Sequence, residues 1–228
     1  MDLQTLNAQQ HATAGTAGVR MSVHSSKTLK VTMVTGQDLY AKAGSMIAYD
    51  GYVQFEGAPG NLRRHAEEMV TGEGGRLMLC RGDGELYLAD YGGDVLVLHL
   101  NNEAISVNGP TLLACDAALE LKIEPVKGLA KLSGSGLTNL VVRGTGWVAL
   151  VSRGIPISLD CAERETYVDP DALIAWTDGL DMKARRTLKA GALIGRGSGE
   201  AFQVGFKGQG FVVVQPSEDT GDRFKIRG

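Results

Sequence analysis

The stretch Met46-Ile47-Ala48-Tyr49-Asp50 returns as Leu112-Leu113-Ala114-Cys115-Asp116 and as Leu173-Ile174-Ala175-Trp176-Thr177-Asp178. Each copy precedes an alternating strand pattern and then two glycine pairs. The second pairs, centred on Asp83, Thr145 and Gln209, lie 62 and 64 residues apart. A period of this size is typical of a fold built from copies of one structural unit. The sequence therefore predicts three pseudo-equivalent repeats of about 62 residues, at roughly residues 28–90, 94–152 and 155–216.

Strand patterns dominate each repeat. Alternating apolar and polar residues occur in Tyr52-Val53-Gln54-Phe55-Glu56, Leu119-Glu120-Leu121-Lys122-Ile123 and Leu180-Asp181-Met182-Lys183-Ala184. This period of two indicates half-buried strands, and the only helix candidate is a short polar stretch at residues 63–70. We therefore predict an all-β protein with one compact domain at residues 21–216, a flexible N-terminal tail at 1–20 and a polar C-terminal tail at 217–228.

Two further expectations concern the path of the chain. Asn101-Asn102 predicts a turn between two strands of the second repeat. The first strand, Lys30-Val31-Thr32-Met33-Val34, is expected beside the last strands, where it would close a threefold arrangement.

The glycines are interpreted as architectural, because glycine adopts positive φ without a steric cost at tight bends. They fall in two motifs per repeat and are Gly72, Gly74, Gly82, Gly84, Gly134, Gly136, Gly144, Gly146, Gly197, Gly199, Gly208 and Gly210.

Composition narrows the class of protein. The chain has 228 residues, 43% of them hydrophobic, and a formal net charge of −3. A phosphate-binding surface usually shows as a basic excess, so no nucleic-acid partner is expected. The apolar runs are strand length, far short of the ~20 residues of a membrane-spanning helix. Three widely spaced cysteines, Cys80, Cys115 and Cys161, are interpreted as small buried hydrophobes in a cytoplasmic protein.

Several motifs resemble those of a known family. They are Gly44-Ser45-Met46-Ile47-Ala48-Tyr49-Asp50-Gly51, Gly72-Glu73-Gly74, Leu88-Ala89, Gly134-Ser135-Gly136-Leu137, Val168-Asp169 and Leu173-Ile174-Ala175-Trp176. In this order they resemble the altered inheritance of mitochondria protein 24 family, a mitochondrial biogenesis family, and the ending at residues 208–217 resembles its actinobacterial branch.

That resemblance implies an all-β body of three similar units, related to the double-stranded β-helix and to the trp RNA-binding attenuation protein. It implies no settled biochemical activity. Mitochondrial members are tied to inner-membrane organisation, but this chain does not begin with an Arg-rich amphipathic segment, so that role is not carried over.

No catalytic, cofactor-binding or metal-binding residues are predicted. The histidines, His11, His24, His65 and His99, show no metal-ligand spacing with cysteine or carboxylate residues. Ser135 and Ser198 lie between glycines but lack the strand-turn-helix context of a nucleophile elbow.

Basic residues occupy matching places in the first and third repeats. They are Arg63, Arg64, Lys183, Arg185, Arg186 and Lys189. Two interpretations stay open: solvated hairpin tips, or a patch that binds anions or lipid headgroups.

The functional hypothesis is a non-enzymatic binding or scaffolding protein that acts through a surface built by its repeats. Its expected partner is itself, in a homo-oligomer with a trimer favoured, because short strands leave edges that need cover. One alternative is a membrane-surface organiser, peripheral to the membrane, that uses the basic residues. The other is an enzyme of the β-helix type that binds a small ligand or sugar.

Overall fold

A computed structural model describes Met1 and residues 20–57, 77–125, 138–188 and 200–217. Within these ranges the chain is antiparallel β-structure, and the prediction of an all-β protein is confirmed. The elements are β1 (Met21–Ser25), β2 (Thr28–Met33), β3 (Leu39–Lys42), β4 (Met46–Tyr49), β5 (Tyr52–Gly57), β6 (Leu77–Leu88), β7 (Asp94–Val107), a 3₁₀ turn (Gly109–Thr111), β8 (Leu112–Asp116), β9 (Glu120–Pro125), β10 (Thr138–Ser152), β11 (Ile157–Asp160), β12 (Thr166–Val168), a second 3₁₀ turn (Pro170–Ala172), β13 (Leu173–Thr177), β14 (Asp181–Leu188), β15 (Glu200–Lys207) and β16 (Phe211–Val214).

Thirteen strands form one continuous sheet, and three form another. The main order is β1-β2-β6-β3-β8-β10-β7-β13-β16-β11, with β4 and β5 attached to β6 and β9 attached to β10. The smaller sheet has the order β12-β15-β14. Both the first and the last strand of the main order are therefore edges.

Two long strands organise the main sheet, because each changes partners halfway along its length. Residues 77–83 of β6 pair with β5 and β3, whereas residues 84–88 pair with β2 and β4. Strand β10 repeats this scheme: residues 138–144 pair with β9 and the end of β7, and residues 146–152 with β8 and the start of β7. Strands β15 and β16 divide the same role, since β15 pairs with β14 and β12 and β16 with β11 and β13.

Each change of partners occurs at a predicted glycine pair. Gly82 and Gly84 have φ of +129° and +139°, and the other described pairs are similar except for Gly146, whose +159° is nearly extended. A Cβ on Gly84 would lie 2.2 Å from the backbone oxygen of Asp50, and a Cβ on Gly146 would lie 2.9 Å from Oδ2 of Asp116. Glycine is therefore required here by close approach as well as by φ. Six motif glycines lie outside the described residues: Gly72, Gly74, Gly134, Gly136, Gly197 and Gly199.

A side-chain oxygen caps each bend. The backbone N–H after the second glycine of each pair donates to the fifth residue of a recurring segment, counted from Met46, Leu112 and Leu173. Glu85 donates to Oδ1 of Asp50 (2.9 Å), Trp147 to Oδ2 of Asp116 (2.7 Å) and Phe211 to Oγ1 of Thr177 (3.1 Å). At each bend, a side chain of the recurring segment thus accepts a hydrogen bond from a backbone N–H that lies where the long strand changes partners.

Burial confirms the predicted alternation. In β9 and the residue before it, Leu119 is buried and Leu121 half-buried, whereas Glu120 and Lys122 are exposed. The corresponding residues of β5 and β14 alternate in the same way. One face of each strand therefore packs on the interior.

Buried side chains form three clusters. The first contains Leu98, Leu150, Ile174 and Phe211 among others, and the second contains Leu29, Leu86, Val97 and Ala114 among others. The third is confined to residues 161–212. The first two clusters therefore join distant parts of the chain, whereas the third is local.

Two expectations about the chain path are wrong. Asn101-Asn102 is not a turn: β7 runs through it, and these two residues lie opposite Thr145 alone, which forms a β-bulge. The strand at Lys30–Val34 does not lie beside the last strands, because β2 pairs with β1 and β6 while β16 pairs with β11 and β13. The helix candidate at residues 63–70 lies outside the described residues.

Replacement of Gly84 with alanine should lower the free energy of unfolding by about 2–4 kcal/mol, since the backbone is strained for an L-residue and the Cβ meets a carbonyl oxygen. Gly57→Ala is the matched control, because nothing lies within 4 Å of its added Cβ. Urea unfolding measures both. Equal stability of the two variants would contradict the role of the bend.

Candidate functional site

The exposed strand β4 is the first unusual surface. Its sequence matches those of β8 and β13, in which nearly every residue is buried, yet all four residues of β4 are exposed. Ile47 is 57% exposed and Tyr49 48%, whereas the corresponding Ile174 and Trp176 are 0% and 5% exposed. The apolar sequence of this recurring segment predicts a buried strand, and for the first copy that prediction is wrong.

Neighbouring strands explain the difference. Strand β8 lies between β3 and β10, and β13 lies between β7 and β16. In the described part of the chain, β4 pairs with β6 alone. One edge of β4 and the apolar side chains along it therefore face solvent, and Tyr52, 69% exposed, extends this surface.

A second open edge belongs to β12. Within the described ranges β12 pairs only with β15, in the small sheet that β14 completes. Tyr167, in the middle of β12, packs above Gly205, where an added Cβ would lie 2.9 Å from its ring. The guanidinium of Arg185 lies 5.0 Å from the centre of the same ring, within cation–π range. The aromatic side chain of this edge strand thus contacts a basic side chain of β14.

The predicted basic patch is described only in part. Lys183 and Arg185 are exposed and lie two residues apart on β14, so they share one face of the small sheet. Arg186 is also on β14, and Arg63, Arg64 and Lys189 lie outside the described residues. The structure therefore places one pair of basic residues on β14, across β15 from β12, with Arg185 against the Tyr167 ring, and does not describe their convergence with the others.

The cysteines are buried and free, as predicted from the sequence. Burial raises the pKa of the Cys80 thiol to about 12 and raises the pKa values of Cys115 and Cys161 as well. Because the thiolate is the reactive form, these residues are poor nucleophiles and poor metal ligands at neutral pH.

Histidines and carboxylates form no ligand cluster in the described ranges. His24 packs edge-on against Tyr87 with ring centres 5.4 Å apart, and His99 packs against Trp147 at 4.8 Å. No group of three or more His, Cys, Asp or Glu residues there could hold a metal ion. That same part of the chain contains no helix long and apolar enough to cross a membrane.

The sequence did not indicate that the residues of β4, Tyr52 and Tyr167 are exposed at the surface. The recurring segment has the same apolar character in all three copies, so its composition carries no signal of exposure. Exposure is decided by the strands that lie beside each copy in the folded chain, and not by residue type.

The fold and this surface together define an all-β protein with exposed apolar side chains on the edge strands β4 and β12. The chain belongs to the mitochondrial biogenesis AIM24 family, whose family model matches residues 19–217. It is similar in structure to protein SPYM3_0169 from Streptococcus pyogenes, with 24% sequence identity, coverage of 87% of this chain and 92% of that chain, and a TM-score of 0.63. That likeness shows the fold alone. No curated protein matches the chain.

The native thiols should react with Ellman's reagent at pH 8 on the order of 100-fold more slowly than those of the unfolded chain, since burial both shields them and raises their pKa values. A Tyr91→Cys variant is the control, because Tyr91 is fully exposed and should add one fast thiol. Rapid labelling of a native cysteine would show that at least one is accessible.

Proposed function

We propose that this protein is a non-enzymatic scaffold or binding protein, built from three similar units, that works as a closed homo-oligomer, with a trimer favoured. Its functional surface is the one that the units form together. The family match and the all-β fold are compatible with this function, and the proposal rests on the way in which successive parts of the chain join.

Equivalent pairing supports the division into three units. The first unit runs from β2 to β6, the second from β7 to β10 and the third from β11 to β16. In each, a long strand or strand pair binds two strands on each half of its length, with a capped glycine bend between the halves. Such a two-layered unit is what the proposed relation to the double-stranded β-helix and the trp RNA-binding attenuation protein requires.

The observation that carries the proposal is the repeated junction between units. Strand β3 of the first unit pairs with β8 of the second, with Tyr40 opposite Cys115. Strand β7 of the second unit pairs with β13 of the third, with Ser106 opposite Trp176. Both junctions are antiparallel and use equivalent residues, so one mode of association operates twice within the chain. A surface that already joins units in this way suits assembly better than catalysis.

The side-chain chemistry is compatible with a non-enzymatic role. His24 and His99 each pack on an aromatic ring, and the thiols are buried with raised pKa values. We place the protein in the cytoplasm, where three free, buried cysteines stay reduced. The net charge of −3 gives no electrostatic support for a nucleic-acid partner.

Light scattering on a sizing column should give a mass three times the 24.2 kDa of the chain, and this mass should not change on dilution, because closed symmetry leaves no free ends. A mass equal to one chain would overturn the proposed self-assembly. A dimer would preserve self-assembly and reject the trimer, and a mass that grows with concentration would reject closure.

A second candidate is a membrane-surface organiser, and the geometry of β14 favours it. Lys183 and Arg185 are exposed on one face, beside Tyr167, whose ring combines an apolar body with a polar hydroxyl. Basic side chains next to an aromatic residue suit an anionic headgroup layer. In a ring, several copies of this face would act together.

Flotation with phosphatidylserine vesicles at low salt should recover the protein, and vesicles of phosphatidylcholine alone should not. Charge reversal by Lys183→Glu with Arg185→Glu should abolish recovery. Lys122→Glu with Arg143→Glu makes the same charge change at exposed positions on β9 and β10 and should preserve it. Equal loss in both variants would indicate nonspecific attraction and reject a dedicated surface on β14.

A further inference from the structure

The glycine bends divide the continuous main sheet into smaller sheets, and two complete ones lie at the junctions between the proposed units. The first contains β5, residues 77–83 of β6, β3, β8 and the facing halves of β10 and β7. The second contains β9, the remaining halves of β10 and β7, and then β13, β16 and β11. Each has six strands, and in each the central contact is the antiparallel pairing between neighbouring units.

The remaining strands form two incomplete sheets at opposite ends of the series. At one end, β14, β15 and β12 form the small sheet, whose strands are equivalent to the first three strands of a complete sheet. At the other end, β4, residues 84–88 of β6 and β2 are equivalent to the last three strands, and β1 is added beyond β2. The open edges of these halves are β12 and β4. They are the strands that would join if the series continued.

The buried clusters follow the same division. Among the described residues, the first cluster contains Ile174 and Phe211 of the third unit together with residues of the second and, from the first, Leu77. The second cluster combines the first unit with Val97 and Ala114 of the second. The third contains residues of the third unit alone, and Leu159 and Met182 beside it are only partly buried. It thus lacks a contribution from a neighbouring unit.

We infer that β12 of one copy pairs antiparallel with β4 of a second copy and so completes a third six-stranded sheet between chains. This inference rests on the proposed self-assembly and names its interface. The internal junctions fix the register: Tyr167 lies opposite Tyr49, Thr166 opposite Asp50 and Val168 opposite Ala48. The Tyr167–Tyr49 pair corresponds to Tyr40–Cys115 and to Ser106–Trp176 within the chain. The other two pairs correspond to the pairs on either side of those two.

Backbone directions at β4 agree with this register. The Asp50 N–H donates to the Glu85 oxygen of β6 over 2.9 Å, so the N–H of the preceding residue, Tyr49, points away from β6 in an alternating strand. The corresponding edge of β13 accepts a hydrogen bond at the Ile174 oxygen from the Asn108 N–H over 2.8 Å. The equivalent pair between copies is the Asp169 N–H with the Ile47 oxygen.

The pairing is head to tail, since β4 and β12 are different surfaces of the same chain. An interface of this type yields a ring if the rotation between copies closes, and a filament if it does not. It would cover the exposed side chains of Met46, Ile47 and Tyr49 and remove two edges that otherwise invite uncontrolled association.

Cysteine cross-linking tests the register directly. Residues opposite each other in an antiparallel pair have Cα atoms about 4.5–5.5 Å apart, within the range that a disulfide or a short thiol-specific linker can bridge. A chain with Tyr49→Cys and Tyr167→Cys should form covalent multimers after mild oxidation, up to the number of chains in the assembly. The native thiols are buried and should contribute nothing.

Four controls make the result specific. Tyr49→Cys alone and Tyr167→Cys alone should give no covalent multimers, but co-expression of the two single variants should give covalent dimers. Tyr91→Cys with Tyr167→Cys carries the same number of new thiols, one of them on a fully exposed turn, and should not cross-link. Multimers of Tyr49→Cys alone would indicate a symmetric β4–β4 contact and overturn the inference.

Backbone measurements provide an independent test. In the wild-type assembly, amide hydrogen exchange at residues 46–49 should be as slow as at residues 112–116, because both would lie inside a sheet.

Tyr49→Pro removes the outward N–H while sparing the β6 pairing, and should give folded single chains. Tyr49→Val keeps that N–H and should remain assembled.

The outcomes separate this inference from the proposed self-assembly. A stable oligomer with fast exchange at residues 46–49 and no cross-link in the double variant would overturn the edge pairing and leave the scaffold proposal intact. A wild-type monomer at all concentrations would overturn both. Cross-linking in an open filament would support the pairing and reject the closed ring.

Discussion

The capped glycine bend is the constraint on which the rest of this structure depends. Each long strand serves two sheets, and it can do so only if it turns where its partners change. Gly84 and Gly146 allow another part of the chain to approach closely, and Asp50 and Asp116 accept the N–H that follows each glycine. If the bend were lost, neither half of the strand could keep its partners. The sheets, and the junctions between units, therefore rest on it.

Ion pairs strengthen one of these bends further. Arg20 lies just before β1 and contacts both the Asp116 carboxylate and the backbone oxygen of Gln37, with little exposure of either side chain. It thereby links the start of the described domain to the cap of the second bend. By comparison, Arg81 pairs with Asp38 and Glu56 on an exposed surface, where ion pairs contribute little because water and salt screen them.

The proposed function depends on the edges of β4 and β12, which are open among the described residues. A strand with the composition of β4 is stable inside a sheet, where both edges are paired and both faces are covered. At an edge it exposes hydrogen-bonding groups and apolar side chains together, which proteins ordinarily avoid. A second edge, β12, lies in the small sheet that also contains Lys183 and Arg185 on β14. The proposed assembly and any recognition of anions would consequently involve the same small sheet.

The sequence by itself determined the class of fold, the positions of the described bends and the inward-facing residues of β5, β9 and β14, because strand alternation and the use of glycine are local properties of the chain. It also identified the cysteines as buried. It could not show that Asn101-Asn102 continues a strand, because the bulge depends on the single residue Thr145 opposite it. Nor could it distinguish β4 from β13, since burial of a strand is decided by its neighbours in space and not by its own residues. The tertiary structure alone decided which copy of the recurring segment reaches the surface: the first, because among the described residues β4 pairs with β6 alone, whereas β8 and β13 each lie between two strands.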